Sequence, residues 1–307
     1  MRTAQQRILN AVQHPDRYRE QLIDSSGFPV ALSLWEGDPG EPAVLFLPGT
    51  MTHPLFYEEF LDALNLDGLT VIGLHPAGHG KSPRVRRRLT FEVLIRNVLD
   101  ALEWARVTYP DAPRVLLGSS QGGVLALAAA ARATGVTRVV AHNVLDPELP
   151  ATLELTRAPR WLRPAYPQLR QALHGLAQLA PGLPVPFAAY LDMRRVSRNP
   201  EVVERFYTDP LGRRSYPLAL LAGMLGESVT RPVPCPVIVV AATGDPLFSL
   251  PYTRAVFDRI EAPAKELVVV EAAEHLVFTE ALDVVLPVLL PHLHTHSEDA
   301  PAVPDGY

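Results

Sequence analysis

Short runs of apolar residues alternate with segments of helical periodicity in two separate parts of this chain. In the first part, the apolar runs lie at residues 43–47, 70–74, 113–117 and 136–144, and the helical patterns lie at residues 90–107 and 121–134. Short, continuous apolar runs are typical of strands that are buried on both faces of a sheet. The alternation therefore predicts an α/β fold with a mostly parallel sheet and helices on both faces. An antiparallel strand pair at residues 21–24 and 28–35 is expected to precede it.

The alternation stops between residues 147 and 232, where proline and arginine are frequent and no convincing buried strand is found. It then resumes with apolar runs at residues 237–242 and 266–270 and helical patterns at residues 252–260 and 279–290. We therefore predict a core domain built from residues 1–146 and 233–294, with an inserted helical cap at residues 147–232. The polar, proline-containing residues 295–307 are expected to form a disordered tail.

Composition and charge exclude several classes of function. The net charge of −5 over 307 residues, with no dominant basic stripe, argues against a nucleic-acid partner. No apolar run approaches the ~20 residues that a membrane-spanning helix needs. The first 20 residues are polar and lack an apolar segment of signal-peptide length, which favours a cytoplasmic protein. The single cysteine, Cys235, cannot form an intramolecular disulfide and is expected to be buried. The oligomeric state stays open.

A G-x-S-x-G pattern occupies residues 118–122, between a predicted strand and a predicted helix. A serine on such a strand-to-helix turn is held on a tight elbow, with its hydroxyl and the next backbone N–H facing the same space. Glycines are needed because a side chain would clash with the tightly folded backbone. We therefore predict that Ser120 is a nucleophile, and an incidental glycine–serine turn is the alternative.

Two further candidates, Asp245 and His275, each follow a predicted strand of the second part. Catalytic groups gather at the carboxyl ends of parallel strands, so both side chains are expected near Ser120. His275 would act as the base for Ser120, and Asp245 would orient the imidazole. Asp146, at the end of an earlier strand, is the alternative acid.

The turn at residues 47–51 follows the first buried strand and has the sequence L-P-G-T-M. Because Gly49 allows a close backbone approach, the N–H of Thr50, rather than that of Met51, is expected to point at a developing oxyanion. The N–H of Gln121 is predicted to be the second donor. The alternative is an ordinary type II turn with proline and glycine at its centre.

Together these motifs resemble the α/β-hydrolase superfamily over about residues 43–290, and the order serine, aspartate, histidine is that of this superfamily. The sequence H-P-A-G-H-G-K-S at residues 75–82 is similar to the family's turn after the fourth strand. Within the inserted segment, S-R-N-P-E-V-V at residues 197–203 and Y-T-D-P-L at residues 207–211 resemble the cap of one branch. That branch contains the monoacylglycerol lipases and lysophospholipases and is similar to the serine aminopeptidases of family S33.

Two positions depart from the family pattern. The usual His-Gly pair at the oxyanion turn is Pro48-Gly49 here, and the usual aspartate of the later turn is His75. Neither departure touches the predicted triad. Both are expected to bear on the choice of substrate.

The resemblance implies a serine esterase or lipase that uses neither a cofactor nor a metal ion. Its substrate would be a small carboxylic ester with an apolar acyl chain, such as a monoacylglycerol or a lysophospholipid, cleaved through an acyl-enzyme. The cap is expected to cover the serine and to line the pocket together with the oxyanion turn. The candidate substrate-binding residues are Met51, His53, Trp161, Phe187 and Tyr190.

Several other functions remain open. A carbon–carbon bond hydrolase would use the same triad with cationic groups for a substrate carboxylate, and Arg194, Arg195 and Arg198 of the cap are candidates. A thioesterase or an acyltransferase would also use this triad. A non-catalytic ligand-binding module on the same fold is the alternative of a different class.

Two groups of histidines are predicted to have no catalytic role. His79 lies in a glycine-rich turn and is expected to be structural. The alternating histidines 292, 294 and 296 could hold a metal ion, but they lack an evident carboxylate partner in the sequence. Adventitious metal binding is therefore the expected behaviour of these three residues.

Overall fold

The computed structural model describes residues 15–85 and 89–294. Within these residues, the main sheet has eight strands in the order β1-β2-β4-β3-β5-β6-β9-β10. They are β1 (Tyr18–Ser25), β2 (Phe28–Trp35), β3 (Ala43–Leu47), β4 (Thr70–His75), β5 (Arg114–Ser119), β6 (Arg138–His142), β9 (Val237–Ala242) and β10 (Lys265–Val270). Two short strands, β7 (Pro184–Pro186) and β8 (Ser215–Pro217), pair separately.

The pairing directions confirm the predicted sheet. Strands β1 and β2 form an antiparallel hairpin, and β2 is antiparallel to β4. All other neighbours in the main sheet are parallel. The strands β3, β4 and β9 are buried along their whole length, as continuous apolar runs imply.

Helices connect the strands of the main sheet. They are α1 (Glu58–Leu66), α2 (Phe91–Thr108), α3 (Gln121–Ala130), α9 (Leu250–Arg259), α10 (Val277–Glu280) and α11 (Leu282–Leu293). Helix α2 begins at Thr90, whose side chain accepts a hydrogen bond from the N–H of Val93 and so caps the helix. The single helix predicted at residues 279–290 is instead two helices, because Ala281 has φ −142° and ψ 45°, outside the helical region.

The segment at residues 147–232 is mostly helical. Its α-helices are α4 (Tyr166–Leu179), α5 (Phe187–Tyr190), α6 (Met193–Val196), α7 (Pro200–Thr208) and α8 (Leu218–Met224), preceded by 3₁₀ helices at Pro150–Leu155 and Arg160–Ala165. The ribbon β7–β8 was not predicted, because three-residue strands that contain prolines are too short to show an alternating pattern. The predicted boundaries of core and cap stay a prediction, and the predicted tail at residues 295–307 lies outside the described residues. We call residues 147–232 the cap from here on.

Helix α3 packs directly against the centre of the sheet. All ten of its residues are buried, and it contacts β3, β5 and β6. This contact requires glycine at two positions. A Cβ atom on Gly118 would lie 2.1 Å from the carbonyl oxygen of Gly122, and one on Gly122 would lie 2.0 Å from that of Leu47. Both distances are far below van der Waals contact, so the backbone itself forms the interface.

Replacing Gly122 with alanine is therefore expected to destabilise the protein. Overpacking against backbone atoms that cannot move aside costs about 1–3 kcal/mol or more. The matched control is Gly175→Ala in helix α4, where nothing lies within 4 Å of the added Cβ. That change should stabilise the protein by up to about 1 kcal/mol, because alanine is the better helix former. Urea unfolding of both variants measures the two free energies, and equal stabilities would contradict the close contact.

Candidate active site

Ser120 occupies the turn between β5 and α3 in a strained conformation. Its φ is 54° and its ψ is −115°, a region that a residue with a side chain adopts at a cost of about 1–3 kcal/mol. The N–H of Ser120 donates to the carbonyl oxygen of His142 at the end of β6, over 2.7 Å. The C=O of Ser120 accepts from the N–H of Gly123, over 2.8 Å. These bonds hold the sharp elbow that the sequence predicted.

The structure brings the predicted acid and histidine together. His275 Nδ1 lies 2.9 Å from Asp245 Oδ2, and both side chains are buried. The other carboxylate oxygen of Asp245 accepts from the backbone N–H groups of Leu247 and Phe248, over 2.7 and 2.8 Å. The ring of Phe248 stacks on the imidazole, with 5.5 Å between ring centroids. Carboxylate and imidazole are thus held in one orientation.

The surroundings of Asp245 favour its ionised form. Burial raises the pKa of this carboxyl, but the adjacent His275 and the Phe248 N–H outweigh burial and leave the pKa below its usual value. An ionised Asp245 fixes the proton of His275 on Nδ1, which leaves Nε2 free to accept a proton.

Ser120 and His275 line the same cavity. No direct hydrogen bond between their side chains is present in the described part of the chain. Such contacts between a nucleophile and its base are often longer in the absence of a substrate. The alternative acid, Asp146, does not contact His275, because its buried carboxylate forms an ion pair with Arg259 Nε over 2.6 Å.

Asn143 contacts the histidine–aspartate pair, although it was not predicted to do so. Its Nδ2 donates to Asp245 Oδ2 over 2.9 Å and lies 3.1 Å from His275 Nδ1. Asn143 has a φ of 59°, a conformation that asparagine tolerates better than most residues. An asparagine directly after a predicted strand was the available signal, but it does not distinguish such a contact from an ordinary turn.

The oxyanion turn leaves one N–H group unpaired. The N–H of Gly49 donates to Tyr57 Oη, and the N–H of Met51 donates to Tyr216 Oη. Among residues 15–85 and 89–294, no protein acceptor is found for the N–H of Thr50 or for that of Gln121. Thr50 also lines the cavity beside Ser120. The two N–H groups predicted as donors are therefore the free ones.

The cavity has a volume of about 490 Å³, within the usual range for small-molecule sites. Apart from the polar groups beside Ser120, its wall is mainly aliphatic and aromatic. Most of the apolar lining comes from the cap, with Leu155, Leu173, Val185, Tyr190, Leu191, Val196, Phe206, Leu218, Leu221, Met224 and Leu225. Leu247, Phe248 and Leu276 line the core side.

Of the five predicted substrate-binding residues, only Tyr190 lines this cavity. Trp161 does not, since it lies at the surface with 76% of its area exposed. Phe187 is buried and packs on the ring of Tyr207 instead. A helical pattern does not show which face of a short cap helix is turned inward, so these positions could not be separated in the sequence.

The other two candidates, Met51 on the oxyanion turn and His53 just past it, do not line the cavity. The side chain of Met51 is buried in the hydrophobic core. His53 is also buried, and its Nε2 lies 2.9 Å from Asp209 Oδ2 at the end of α7. Both residues therefore connect the core to the cap rather than to a ligand.

Two histidines that were predicted to have no catalytic role, His79 and His294, have partners within the protein. His79 lies in its turn between Ala77 and Tyr216, with ring nitrogens 3.0 Å from the Ala77 carbonyl and 2.8 Å from Tyr216 Oη. His294, thought to lack a carboxylate partner, has two, since its ring nitrogens lie 2.9 Å from Glu41 and 2.5 Å from Asp67. Those partners are more than 200 residues away in the chain, so the sequence could not show them. His296 lies outside the described residues.

Within residues 15–85 and 89–294, no helix is both long and apolar enough to cross a membrane. The same residues contain no cluster of three or more histidine, cysteine, aspartate or glutamate side chains suited to a metal ion. The side chain of Cys235 is buried, as expected.

Comparisons with known proteins agree with this architecture. A family model described as serine aminopeptidase, S33 matches residues 39–281. The monoacylglycerol lipase of Mycolicibacterium smegmatis is 27% identical over 280 residues, which cover 86% of this chain and 92% of that protein.

Two solved structures share the fold. The crystal structure of the Paleococcus ferrophilus monoacylglycerol lipase superposes with a TM-score of 0.67 and 22% identity, over 87% of this chain and 99% of that one. A soluble variant of the Saccharomyces cerevisiae monoglyceride lipase, in complex with a substrate analog, superposes with a TM-score of 0.70 and 15% identity. The match covers 92% of this chain and 96% of that one. These similarities confirm the predicted α/β-hydrolase fold.

The burial of His142 predicts how the free energy of unfolding depends on pH. Burial, together with the nearby His275, lowers the pKa of His142 to about 3, so the folded protein holds this ring neutral. A histidine whose pKa is lower in the folded than in the unfolded state contributes full stability above pH ~6.5 and loses it as the pH falls. Replacing His142 with leucine should therefore remove about 1.4 kcal/mol per pH unit from the pH dependence of unfolding between pH 6 and 4.

Urea unfolding at several pH values measures this slope for the wild type, for His142→Leu and for a control, His174→Leu. His174 is only partly buried, on helix α4 of the cap. The control should keep more of the wild-type slope than His142→Leu. An unchanged slope in His142→Leu would show that the folded protein does not exclude a proton from His142.

Proposed function

Because this chain belongs to the serine aminopeptidase S33 family and is a serine hydrolase of the lipase and esterase type, we propose that it cleaves carboxylic esters through an acyl-enzyme on Ser120. The observation that carries the proposal is the His275–Asp245 pair, 2.9 Å apart, in the cavity that Ser120 also lines. A nucleophile, a base and an orienting acid are the groups that this chemistry needs.

The proposed reaction begins with attack of Ser120 Oγ on the ester carbonyl while His275 Nε2 takes the hydroxyl proton. Negative charge develops on the carbonyl oxygen, where the free N–H groups of Thr50 and Gln121 stabilise it. His275 then gives its proton to the departing alcohol, which leaves the acyl group bound to Ser120. A water molecule that gives its proton to the same imidazole attacks the acyl-enzyme. The bond from the acyl carbon to Ser120 Oγ then breaks, His275 returns the proton to Oγ, and the carboxylic acid leaves.

The cavity supports a substrate with an apolar acyl chain. Each methylene that moves from water into such a wall contributes about 0.8 kcal/mol. Together with the monoacylglycerol lipases among the relatives, this apolar wall favours a monoacylglycerol-like ester.

The alternative of a carbon–carbon bond hydrolase finds less support. Arg195 does not line the cavity, because its guanidinium donates to the backbone carbonyls of Glu154, Pro246 and Leu247. Arg194 and Arg198 line a separate surface pocket.

An ester with an anionic headgroup, such as a lysophospholipid, is the second candidate substrate. Arg157 supports it, since it is the only lysine, arginine, aspartate or glutamate among the described residues of the cavity wall, and it is exposed. A thioesterase or an acyltransferase would use the same groups and differs only in the acceptor or leaving group.

Ser120→Ala is expected to lower kcat by about 10⁴-fold or more, because the covalent step loses its nucleophile. A fluorophosphonate probe should label the wild type at Ser120 and leave the variant unlabelled. The control is Ser228→Ala in the cap, whose hydroxyl contacts Glu148 and Thr230 outside the cavity. Wild-type esterase activity in Ser120→Ala would contradict the assignment of Ser120 as the nucleophile. A wild-type protein that the probe does not label would favour a non-catalytic binding module.

Activity on p-nitrophenyl esters of increasing chain length should rise beyond butyrate, since longer chains bury more apolar area in the cavity. A monoacylglycerol should be hydrolysed alongside them. Leu225→Trp, at the end of α8, would fill part of the cavity from the cap side. We expect this variant to lose at least tenfold in kcat/KM for a dodecanoyl ester and to stay within about twofold for acetate. A strict preference for acetyl esters in the wild type would contradict the proposed substrate class.

A further inference from the structure

The residue that follows Thr50 in the oxyanion turn is held by the cap. Met51 has a φ of 63°, a left-handed conformation that is unfavourable for a residue with a side chain. Its N–H donates to Tyr216 Oη over 2.7 Å, and its C=O accepts from the N–H of Arg213 over 2.9 Å. Both polar backbone groups of Met51 are therefore bound by cap residues 213–216.

The direction of each hydrogen bond around Tyr216 can be worked out from its neighbours. The Ala77 carbonyl can only accept, so His79 Nδ1, 3.0 Å away, carries the ring proton. Burial lowers the pKa of His79 to about 3, which keeps the ring neutral and leaves Nε2 as an acceptor. The Tyr216 hydroxyl, 2.8 Å from Nε2, must then donate to it. Its oxygen lone pairs remain free to accept from the N–H of Met51.

Tyr216 is well fixed for such a role. The residue is fully buried on β8, and burial raises the pKa of its phenol to about 12, so the hydroxyl stays protonated near neutral pH. Arg213 lies beside the ring and donates to the Gly78 carbonyl over 2.8 Å. The hydroxyl thus connects the cap to two separate turns of the core, those of Met51 and of His79.

Two tyrosines accept hydrogen bonds from the N–H groups on either side of Thr50 in the oxyanion turn. The N–H of Gly49 is bound by Tyr57 and the N–H of Met51 by Tyr216, one on each side of Thr50. The intervening N–H of Thr50 is the one left without a protein acceptor among the described residues. The bond to the Met51 N–H fixes the peptide plane that follows Thr50. The plane that precedes it and carries the Thr50 N–H is held through the Gly49 carbonyl, which accepts from the N–H and Oγ1 of Thr52 over 3.2 and 2.9 Å.

We propose that Tyr216 is a positioning residue for the oxyanion hole, a cap side chain that orients the Thr50 N–H through its hydrogen bond to Met51. This inference rests on the proposed function, since it assumes that Thr50 binds the oxyanion formed by attack of Ser120. It also means that the cap completes the catalytic site and does more than line the acyl pocket. The hydroxyl of Tyr216 touches no reacting atom.

The test is Tyr216→Phe, which keeps the ring and removes only the hydroxyl. The matched control is Tyr252→Phe, because the Tyr252 hydroxyl also accepts from a buried backbone N–H, that of Asp146 over 3.0 Å, away from the oxyanion turn. Both changes leave one buried N–H group unpaired and should lower the melting temperature. Only Tyr216→Phe should disturb the oxyanion hole.

For Tyr216→Phe we expect kcat on a p-nitrophenyl ester to fall at least tenfold with KM within about twofold. The loss is smaller than the ~10²–10³-fold that removal of a whole donor causes, because the Thr50 N–H is still present. The Ki of a trifluoromethyl ketone, whose adduct with the serine carries an oxyanion, should rise in proportion to the loss of kcat/KM. For Tyr252→Phe, kcat and Ki should stay within about twofold of the wild type.

A kcat for Tyr216→Phe equal to that of Tyr252→Phe would overturn the proposal, and so would a lower kcat with an unchanged Ki. If Tyr216→Phe does not fold, His79→Leu removes the acceptor that orients the same hydroxyl and should again raise Ki with KM unchanged. Unchanged kinetics in a folded His79→Leu would also count against it. If the proposed ester hydrolysis itself is wrong, the fluorophosphonate probe will not label the wild-type protein. That result differs from any outcome for the Tyr216 variants.

Discussion

The close backbone contact between helix α3 and the turn after β3 is the constraint on which the site depends. Gly122 lies against the carbonyl of Leu47 so closely that even one Cβ atom would not fit. The contact sets the strained elbow of Ser120 directly beside the Pro48-Gly49-Thr50 turn, where a Cβ on Gly49 would lie 3.7 Å from Ser120 Cβ. This close approach lets Ser120, the proposed nucleophile, share one space with the N–H groups of Thr50 and Gln121.

The parts of the site that follow from strand order could be predicted from the sequence. Asp245 and His275 each come directly after a continuous apolar run, and parallel strands bring such ends to one edge of a sheet. Asn143 and Tyr216 could not be predicted in the same way. Their contacts, with Asp245 and Met51, span 102 and 165 residues of sequence and depend on side-chain direction, which no periodicity encodes.

The side chains of the cap that face the cavity could not be predicted from the sequence either. Its helices were expected from the sequence, but two of them are only four residues long and have no apolar stripe that marks an inner face. Trp161 and Tyr190 therefore looked equivalent in the sequence, although one lies in solvent and the other lines the cavity. Core and cap are joined by polar contacts from Tyr216 to the oxyanion turn and from Asp209 to His53 just past it. Cap geometry and catalytic geometry are consequently linked.

The proposed reaction depends on transfer of an acyl group to Ser120, in a site that the cap and the core form together. Mass spectrometry of the protein, quenched with acid during turnover of a p-nitrophenyl ester, detects this transfer. We expect the mass increase of one acyl group in place of one hydrogen, located by proteolysis on the peptide that contains Ser120. An acyl group found on another residue would contradict the proposed reaction. A pre-steady-state burst without acyl-protein at any quench time would contradict it as well.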